Sequence, residues 1–375
     1  MKRMNKNFRM VVAAAVLVWL ASPVFGQEIP GFLKGKVHRL DQTKLSLAQK
    51  FAAAEKEFKK AEKGDAYFTG YVFLCRHEIH LDERWAPSEP YRVGARDNKI
   101  KVIRTSKWGK KHGKSMTSEE GSAPVGLFLL HRVSSNKVEI VDVELVDLDR
   151  TYDFQDEPVY WLGEADNEES MKFLEATFDS GGYEARKTLV FIISSHDHPK
   201  AYDFLRRIAL GDYATKLRKN AIFWLGNYKD EKSLEYLKEI SGKVEGTELR
   251  KQVVFALYLC SQDEEKALQE LINIAKKDDN RKVRKQAIFW LGQLAYKECA
   301  KALRDVVEES DDVDVKKSAV FAISQLPADK GVPMLIDIAK TNKSPSVRKQ
   351  AIFWLGQKDS KEALKFFEEI LLKKK

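Results

Sequence analysis

The stretch Val283–Gln293, VRKQAIFWLGQ, returns unchanged as Val347–Gln357. Such an identity within one chain marks a repeated structural unit. Related copies read KTLVFIISS (Lys187–Ser195), KNAIFWLGN (Lys219–Asn227), KQVVFALYL (Lys251–Leu259) and KSAVFAISQ (Lys317–Gln325). Aligned on phenylalanine they fall at Phe191, Phe223, Phe255, Phe289, Phe321 and Phe353, in steps of 32, 32, 34, 32 and 32 residues. PVYWLGE, Pro158–Glu164, reads as a seventh, degenerate copy.

Each period holds two helical patterns. In the helix that carries the motif, B, Val283, Ala287, Leu291 and Leu294 recur as one apolar stripe. The other, A, lies between motifs: KALQELINIAKK (Lys266–Lys277), PMLIDIAK (Pro333–Lys340) and EALKFFEEILL (Glu362–Leu372). Asp197, Asp230, Asp263, Asp329 and Asp359 precede A helices as N-caps would. Ser344-Pro345 offers a cap and an N1 proline to the last B helix. A two-helix unit cannot bury its apolar faces alone, so the copies must stack into a solenoid. The residue after the aligned aromatic runs Trp161, Ile192, Trp224, Ala256, Trp290, Ala322, Trp354, large and small in alternation. This predicts that a Trp on one B helix fills room left by a small residue on the next, and that the true unit is a pair of repeats of about 64 residues.

The period, the V-R-x-x-A-x-x-x-L-G core and the A/B pairing resemble HEAT repeats of the phycobilisome-lyase HEAT-like type. The tail from KKSAVFAISQLP through VRKQAIFWLGQ to ALKFFEEIL is similar to exported bacterial HEAT-repeat-domain proteins. The resemblance covers residues 158–375. It implies a right-handed solenoid whose B helices line the concave surface, and a role as an interaction scaffold. Bilin lyases and deoxyhypusine hydroxylase are enzymatic uses of similar repeats. The paired His-Glu metal motifs of the hydroxylase are absent from these repeats, the one His-Glu dipeptide being His77-Glu78. Nothing in the sequence singles out a bilin site.

With Ala287 at the centre of the buried stripe, about 100° per residue puts Phe289 on the opposite side. Lys285 and Gln286 flank it one turn back and Gln293 one turn on. Lys219 stands in the same place beside Phe223, and Lys349 and Gln350 beside Phe353. The six phenylalanines are therefore expected to form a row on the B face, edged by lysines and amides, as a groove for a protein or peptide partner. The alternative is that the rings stack on one another and on lysine stems, as packing.

The chain has 375 residues, 65 basic against 56 acidic, a net charge of +9. It opens with MKRMNKNFRM VVAAAVLVWL ASPVFGQ, a basic stretch before the twelve-residue apolar run Met10–Ala21. This predicts a secretory signal peptide over residues 1–26 and a periplasmic or extracellular product, since a stable membrane span needs about 20 apolar residues. Without the four bases of that leader the net charge is +5, too mild to call for nucleic acid. Cys75, Cys260 and Cys299 are odd in number and widely spaced, which argues against a disulfide framework. Cys260 reads as a small core hydrophobe.

Residues 27–64 carry one amphipathic helix, Leu47, Phe51, Ala54 and Phe58 on its apolar side, with Asp41 or Thr43 near its start. Residues 65–157 change period. AYFTGYVFLC (Ala66–Cys75), KIKVIR (Lys99–Arg104), VGLFLLHRV (Val125–Val133) and KVEIVDVELVDL (Lys137–Leu148) read as strands. Ser134-Ser135-Asn136 reads as a hairpin turn, and the phase change at Ile140-Val141 as a bulge. Three constellations were weighed for chemistry. Cys75, His77 and His80 offer metal-binding side chains, but the spacing lacks a fourth ligand. The basic run Lys99–Lys114, with Trp108, suits a solvated hairpin tip better than nucleic acid. Ser194-Ser195-His196-Asp197-His198 holds the letters of a triad, but consecutive residues point apart.

The expected architecture is mainly α, a HEAT-like α-solenoid over residues 158–375 preceded by a small antiparallel β-rich domain over 65–157. The expected function is a non-catalytic exported scaffold. It has no cofactor, no metal and no nucleic acid, and its protein or peptide partner sits on the B-helix face. The alternative is an enzyme or metal-binding module in the β-rich domain, with the solenoid as its recruiting arm.

Overall fold

The computed structural model describes residues 31–41, 44–61, 64–76, 91–96, 99–103, 123–134, 137–146, 148, 150–261, 265–294 and 297–372. The leader, His77, His80, the basic run beyond Ile103 and the turn at Ser135-Asn136 lie outside them. The chain divides into two compact units, one closing at Ala201 and one opening at Tyr202. It is mainly helical, a stack of paired helices preceded by a β-rich region.

The first unit is built on strands β1 (Leu33–Arg39), β2 (Ala66–Cys75), β3 (Tyr91–Arg96), β4 (Lys99–Ile103), β5 (Ala123–Ser134), β6 (Lys137–Val146) and β7 (Tyr152–Glu164). They form one sheet in the order β4-β3-β7-β2-β5-β6, with β1 on β7. The sheet is mixed rather than antiparallel throughout. β1, β2 and β3 each run parallel to β7, while β2–β5, β5–β6 and β3–β4 are antiparallel. In the β5–β6 ladder Leu130 faces Asp142 and His131 faces Ile140, so Val141 is the extra residue of a bulge.

Helix α1 (Leu47–Ala61) covers one face of the sheet. It buries Leu47, Phe51, Ala54 and Phe58, the expected apolar side, and the Phe58 ring meets Tyr67 of β2 at 4.7 Å. Its start is marked by Ser46, whose N–H donates to the Gln49 side chain at 3.0 Å. Asp41 is not at that start; it pairs with Arg39 at 2.6 Å. Thr43 lies outside the described residues. Phe68, Phe128 and Phe154 fill the other face of the sheet.

The segment 27–64 therefore holds a strand, β1, as well as the expected helix. A larger correction concerns Pro158–Glu164. This supposed seventh repeat copy is the end of β7, and residue 158, where the solenoid was expected to begin, falls inside that strand. Trp161 pairs with Arg39 on one side and Gly70 on the other. A short apolar run fits strand and helix periods equally well, and here sheet pairing on both edges decides. The first helix pair is α2 (Asn167–Ser180) and α3 (Tyr183–Ser194).

From α4 (Lys200–Leu210) onward A and B helices alternate. The B helices are α5 (Thr215–Tyr228), α7 (Thr247–Cys260), α9 (Arg281–Gln293), α11 (Val313–Gln325) and α13 (Pro345–Leu355). The A helices after α4 are α6 (Glu231–Lys243), α8 (Glu265–Lys277), α10 (Lys297–Glu309), α12 (Ala328–Thr341) and α14 (Lys361–Leu372). The apolar stripe is inward as expected. Val283, Ala287 and Leu291 are buried, and so are Val347, Ala351 and Leu355.

Caps fall differently from the sequence expectation. Of the four described aspartates, Asp230 alone caps as foreseen, in a capping box with Ser233 at the start of α6. Asp329 lies within the first turn of α12, and Asp359 lies one residue further out than Ser360, whose hydroxyl faces the Ala363 N–H at 3.5 Å. Asp197 stands three residues ahead of α4, and Asp263 is outside the described residues. Asn280 and Asp312 cap the B helices α9 and α11 instead. Pro345 opens α13 as expected, although Ser344 makes no side-chain cap bond.

Arginine closes the ends of the A helices. Arg218 donates to Ala209 O at 2.9 Å, Arg284 to Asp278 O at 2.6 Å and Arg348 to Asn342 O at 2.8 Å. Carbonyls left over at a helix C-terminus are satisfied in this way by a charged donor from the next helix. Along the A helices, ion pairs link each neighbour to the next: Arg206–Glu239 at 2.5 Å, Lys238–Glu270 at 3.4 Å, Lys276–Asp305 at 2.5 Å, Arg304–Asp337, and Lys340–Glu369 at 3.3 Å. In these five the base is on the earlier helix, while Lys266 of α8 reaches back to Glu231 of α6 at 2.6 Å. These exposed pairs contribute about 0–1 kcal/mol each, so they define the register more than they stabilise it.

Candidate functional site

On the B helices of the second unit, Phe289 is 39% exposed and Phe353 55%, while Phe223, Phe255 and Phe321 are half-buried. Phe191, on α3, belongs to the first unit and is also half-buried. Lys285, Gln293 and Lys349 are exposed; Lys219, Gln286 and Gln350 are half-buried. Two of the six phenylalanines are thus exposed and four half-buried, beside lysines and amides that are exposed or half-buried.

Packing occupies part of the same row. The Phe223 and Phe255 rings stack at 6.2 Å. Trp290 of α9 reaches back to α7, stacking on Tyr258 at 4.3 Å and tilting on Phe255 at 5.0 Å. Trp354 of α13 reaches back to Phe321 of α11 at 5.1 Å. Trp290 and Trp354 thus pack on aromatics of the preceding B helix. The alanines Ala256 and Ala322 meet glycines. A Cβ on Gly226 of α5 would lie 2.6 Å from Ala256 Cα on α7, and one on Gly292 of α9 2.9 Å from Ala322 Cβ on α11. Close Gly–Ala contacts join α5 to α7 and α9 to α11, and indole contacts join α7 to α9 and α11 to α13, so the two-repeat period is expressed in the contacts between B helices. The signal was present in the sequence, since Gly226, Gly292 and Gly356 recur in alternate copies only.

Between α5 and α7 the B face opens into a cleft of about 610 Å³, lined by Lys216, Lys219, Asn220, Phe223, Glu248 and Phe255 among others. Glu248 lies 3.8 Å from Lys219 and 3.6 Å from Lys251. Sequence reasoning named Lys219 and Phe223 but missed Glu248 and Lys251. It also missed that a lysine stands four residues before every aligned phenylalanine: Lys187, Lys219, Lys251, Lys285, Lys317 and Lys349. Positions four apart share a helix face, so lysine and phenylalanine form two parallel rows.

The triad letters resolve differently. His196 is buried and stacks on Phe73 at 3.8 Å. Its Nδ1 lies 2.8 Å from Ile192 O, and its Nε2 2.7 Å from Ser170 Oγ. A carbonyl can only accept, so Nδ1 carries the proton and Nε2 accepts from Ser170. Ser170 in turn accepts from Tyr71 Oη at 2.8 Å. His131 repeats the pattern, stacked on Tyr67 at 4.4 Å with Nε2 2.8 Å from Thr69 Oγ1. Burial pushes His196 down to about 4 and His131 down to about 3, so both imidazoles are neutral. A serine does meet a histidine, but neither Ser194 nor Ser195 is that serine; both hydroxyls donate to Phe191 O. The pair is sealed inside the unit, where a substrate does not reach.

All three cysteines are buried and none is in a disulfide. Among the described residues no three His, Cys, Asp or Glu side chains group to hold a metal, and no helix is long and apolar enough to cross a membrane.

A family model described as HEAT repeats matches residues 268–344, which span α8 to α12 and the loop after it. No curated protein matches the chain. Among solved structures, similarity is found to the CpcE–CpcF complex of phycocyanin lyase from Nostoc sp. PCC7120, at 20% identity and a TM-score of 0.29, over 43% of this chain and 66% of that one. It is found also to the Escherichia coli protein YibA, at 21% identity and a TM-score of 0.33, over 55% of this chain and 76% of that one. Human deoxyhypusine hydroxylase in complex with glycerol matches at 16% identity and a TM-score of 0.24, over 54% of this chain and 77% of that one. The chain spans just under two thirds of the phycocyanin-lyase chain.

Proposed function

We propose that this chain of HEAT repeats is a non-catalytic, exported scaffold that holds a protein or peptide partner on the B-helix face of its solenoid. One observation carries the reading: Phe289 and Phe353, 39% and 55% exposed, stand on alternate B helices, each four residues after a lysine. Large aromatics in solvent at a repeated position serve no core, and exposed apolar rows rimmed by polar groups mark partner surfaces. The sealed Ser170–His196 pair lends no support to chemistry in the β-rich unit. Export rests on the leader pattern of residues 1–26.

The test is crosslinking capture from envelope extract with the wild-type chain and with Phe289→Ala/Phe353→Ala. The expected result is a defined crosslinked protein that the double variant loses while its far-UV circular dichroism melt is unchanged. Capture of the same protein by both chains overturns the B-face assignment.

A further inference from the structure

The reading above leaves the chemistry of the partner open, and the charges of the B face narrow it. Lys219 and Lys251 share Glu248. The three lysines that follow differ. Lys285, Lys317 and Lys349, one on each of α9, α11 and α13, have no carboxylate within ion-pair distance among the described residues. The acids at the ends of these helices are already engaged: Asp312 lies 3.5 Å from Arg284, and Asp314 3.2 Å from Arg281. Beside the uncompensated lysines run Phe289, Phe321 and Phe353, two of them the most exposed of the row. The last three B helices thus present a positive row and an apolar row side by side, about 5–6 Å apart.

We propose that the B face of α9, α11 and α13 binds an acidic peptide segment. Its acidic side chains meet Lys285, Lys317 and Lys349, and its apolar residues lie on the phenylalanine row. This rests on the B face being the partner surface and adds the charge of what it holds.

The experiment measures fluorescence anisotropy of a labelled peptide of four Glu-Pro-Leu units against the full chain. The control is the same peptide with Lys for Glu. The acidic proline peptide is expected to bind, to weaken about tenfold or more as salt is raised, and to bind at least about tenfold more tightly than the basic peptide. The variant Lys285→Glu/Lys317→Glu/Lys349→Glu loses it, while Lys285→Arg/Lys317→Arg/Lys349→Arg keeps it, which separates charge from loss of fold. Equal affinity for the acidic and basic peptides, or an unchanged glutamate variant, overturns the acidic partner. Equal competition by dextran sulfate, matched in charge, turns the site into a general polyanion surface and overturns the peptide assignment. If the phenylalanine variant loses its crosslinked partner while the lysine variants do not affect peptide binding, this inference alone falls. If neither set has any effect, the B-face reading falls with it.

Discussion

Gly226 and Ala256 bring α5 and α7 together without a side chain between them: a Cβ on the glycine would sit 2.6 Å from Ala256 Cα and 2.8 Å from its carbonyl oxygen. The obstruction is backbone, which cannot swing aside as a side-chain tip does. Gly226→Ala is therefore expected to destabilise the chain by about 1–3 kcal/mol through overpacking, although alanine favours a helix. Gly292→Ala, where the nearest atom is the Ala322 methyl at 2.9 Å, costs less. Urea unfolding of both variants checks the order; a stabilised Gly226→Ala would show that the helices separate freely.

The arginine closures give a second prediction. Arg348 donates to the carbonyls of Asn342 at 2.8 Å and Lys343 at 3.1 Å. Arg348→Ala removes a charged donor from partly buried acceptors, a loss of about 1.5–3 kcal/mol. Arg348→Lys recovers only part of it, because an ammonium lacks the planar fork. The urea midpoints of the three proteins are expected in the order wild type, lysine, alanine.

Acid is expected to unfold the first unit in a defined window. His131 and His196 stay neutral in the fold, at about 3 and about 4, against about 6.5 in an unfolded chain. Between those values the unfolded state binds more protons, so stability is complete above about pH 6.5 and falls as pH drops toward 4. Calorimetry across pH 7 to 4 should show a falling Tm and proton uptake on unfolding. His131→Phe should flatten the slope. A Tm independent of pH over that range would mean that the histidines titrate in the fold as they do in the unfolded chain.

The hydroxyl relay is the fourth case. Ser170 receives from Tyr71 and donates to His196, both buried. Ser170→Ala leaves a buried donor and a buried acceptor unpaired, and is expected to cost about 1–3 kcal/mol or more, since two groups are orphaned. Adding Tyr71→Phe removes one orphan and should recover part of the loss in a double-mutant cycle.

The repeats were legible because one residue pattern recurs on both the buried and the exposed sides of each B helix. Val283, Ala287 and Leu291 supply the helical period, and Phe289 two residues beyond Ala287 falls on the solvent side by geometry alone. Strands β2, β4, β5 and β6 were legible for their β-branched and aromatic runs, and the bulge at Val141 for its phase slip. β1 was not, because LKGKVHR buries little beyond Leu33 and is held by pairing with a strand more than a hundred residues later. β7 was misread because Tyr160, Trp161 and Leu162 are apolar in succession, which suits a strand buried on both faces as well as a helix. The lysine row was readable from the alignment that revealed the phenylalanines. Which of its members are left without a carboxylate depends on Glu248, Asp312 and Asp314, and only the folded chain supplies that.

The alternation of glycine-to-alanine and aromatic contacts between B helices limits how such a chain changes length. Removing a single repeat, for instance the one carrying α9, would set Ala322 of α11 against Phe255 and Tyr258, leaving both rings without the indole that Trp290 provides. Removing two restores like to like. Duplication or loss of the encoding segment is thus tolerated in even steps and penalised in odd ones. The spacing of any partner that reads the B face is inherited in the same doubled unit.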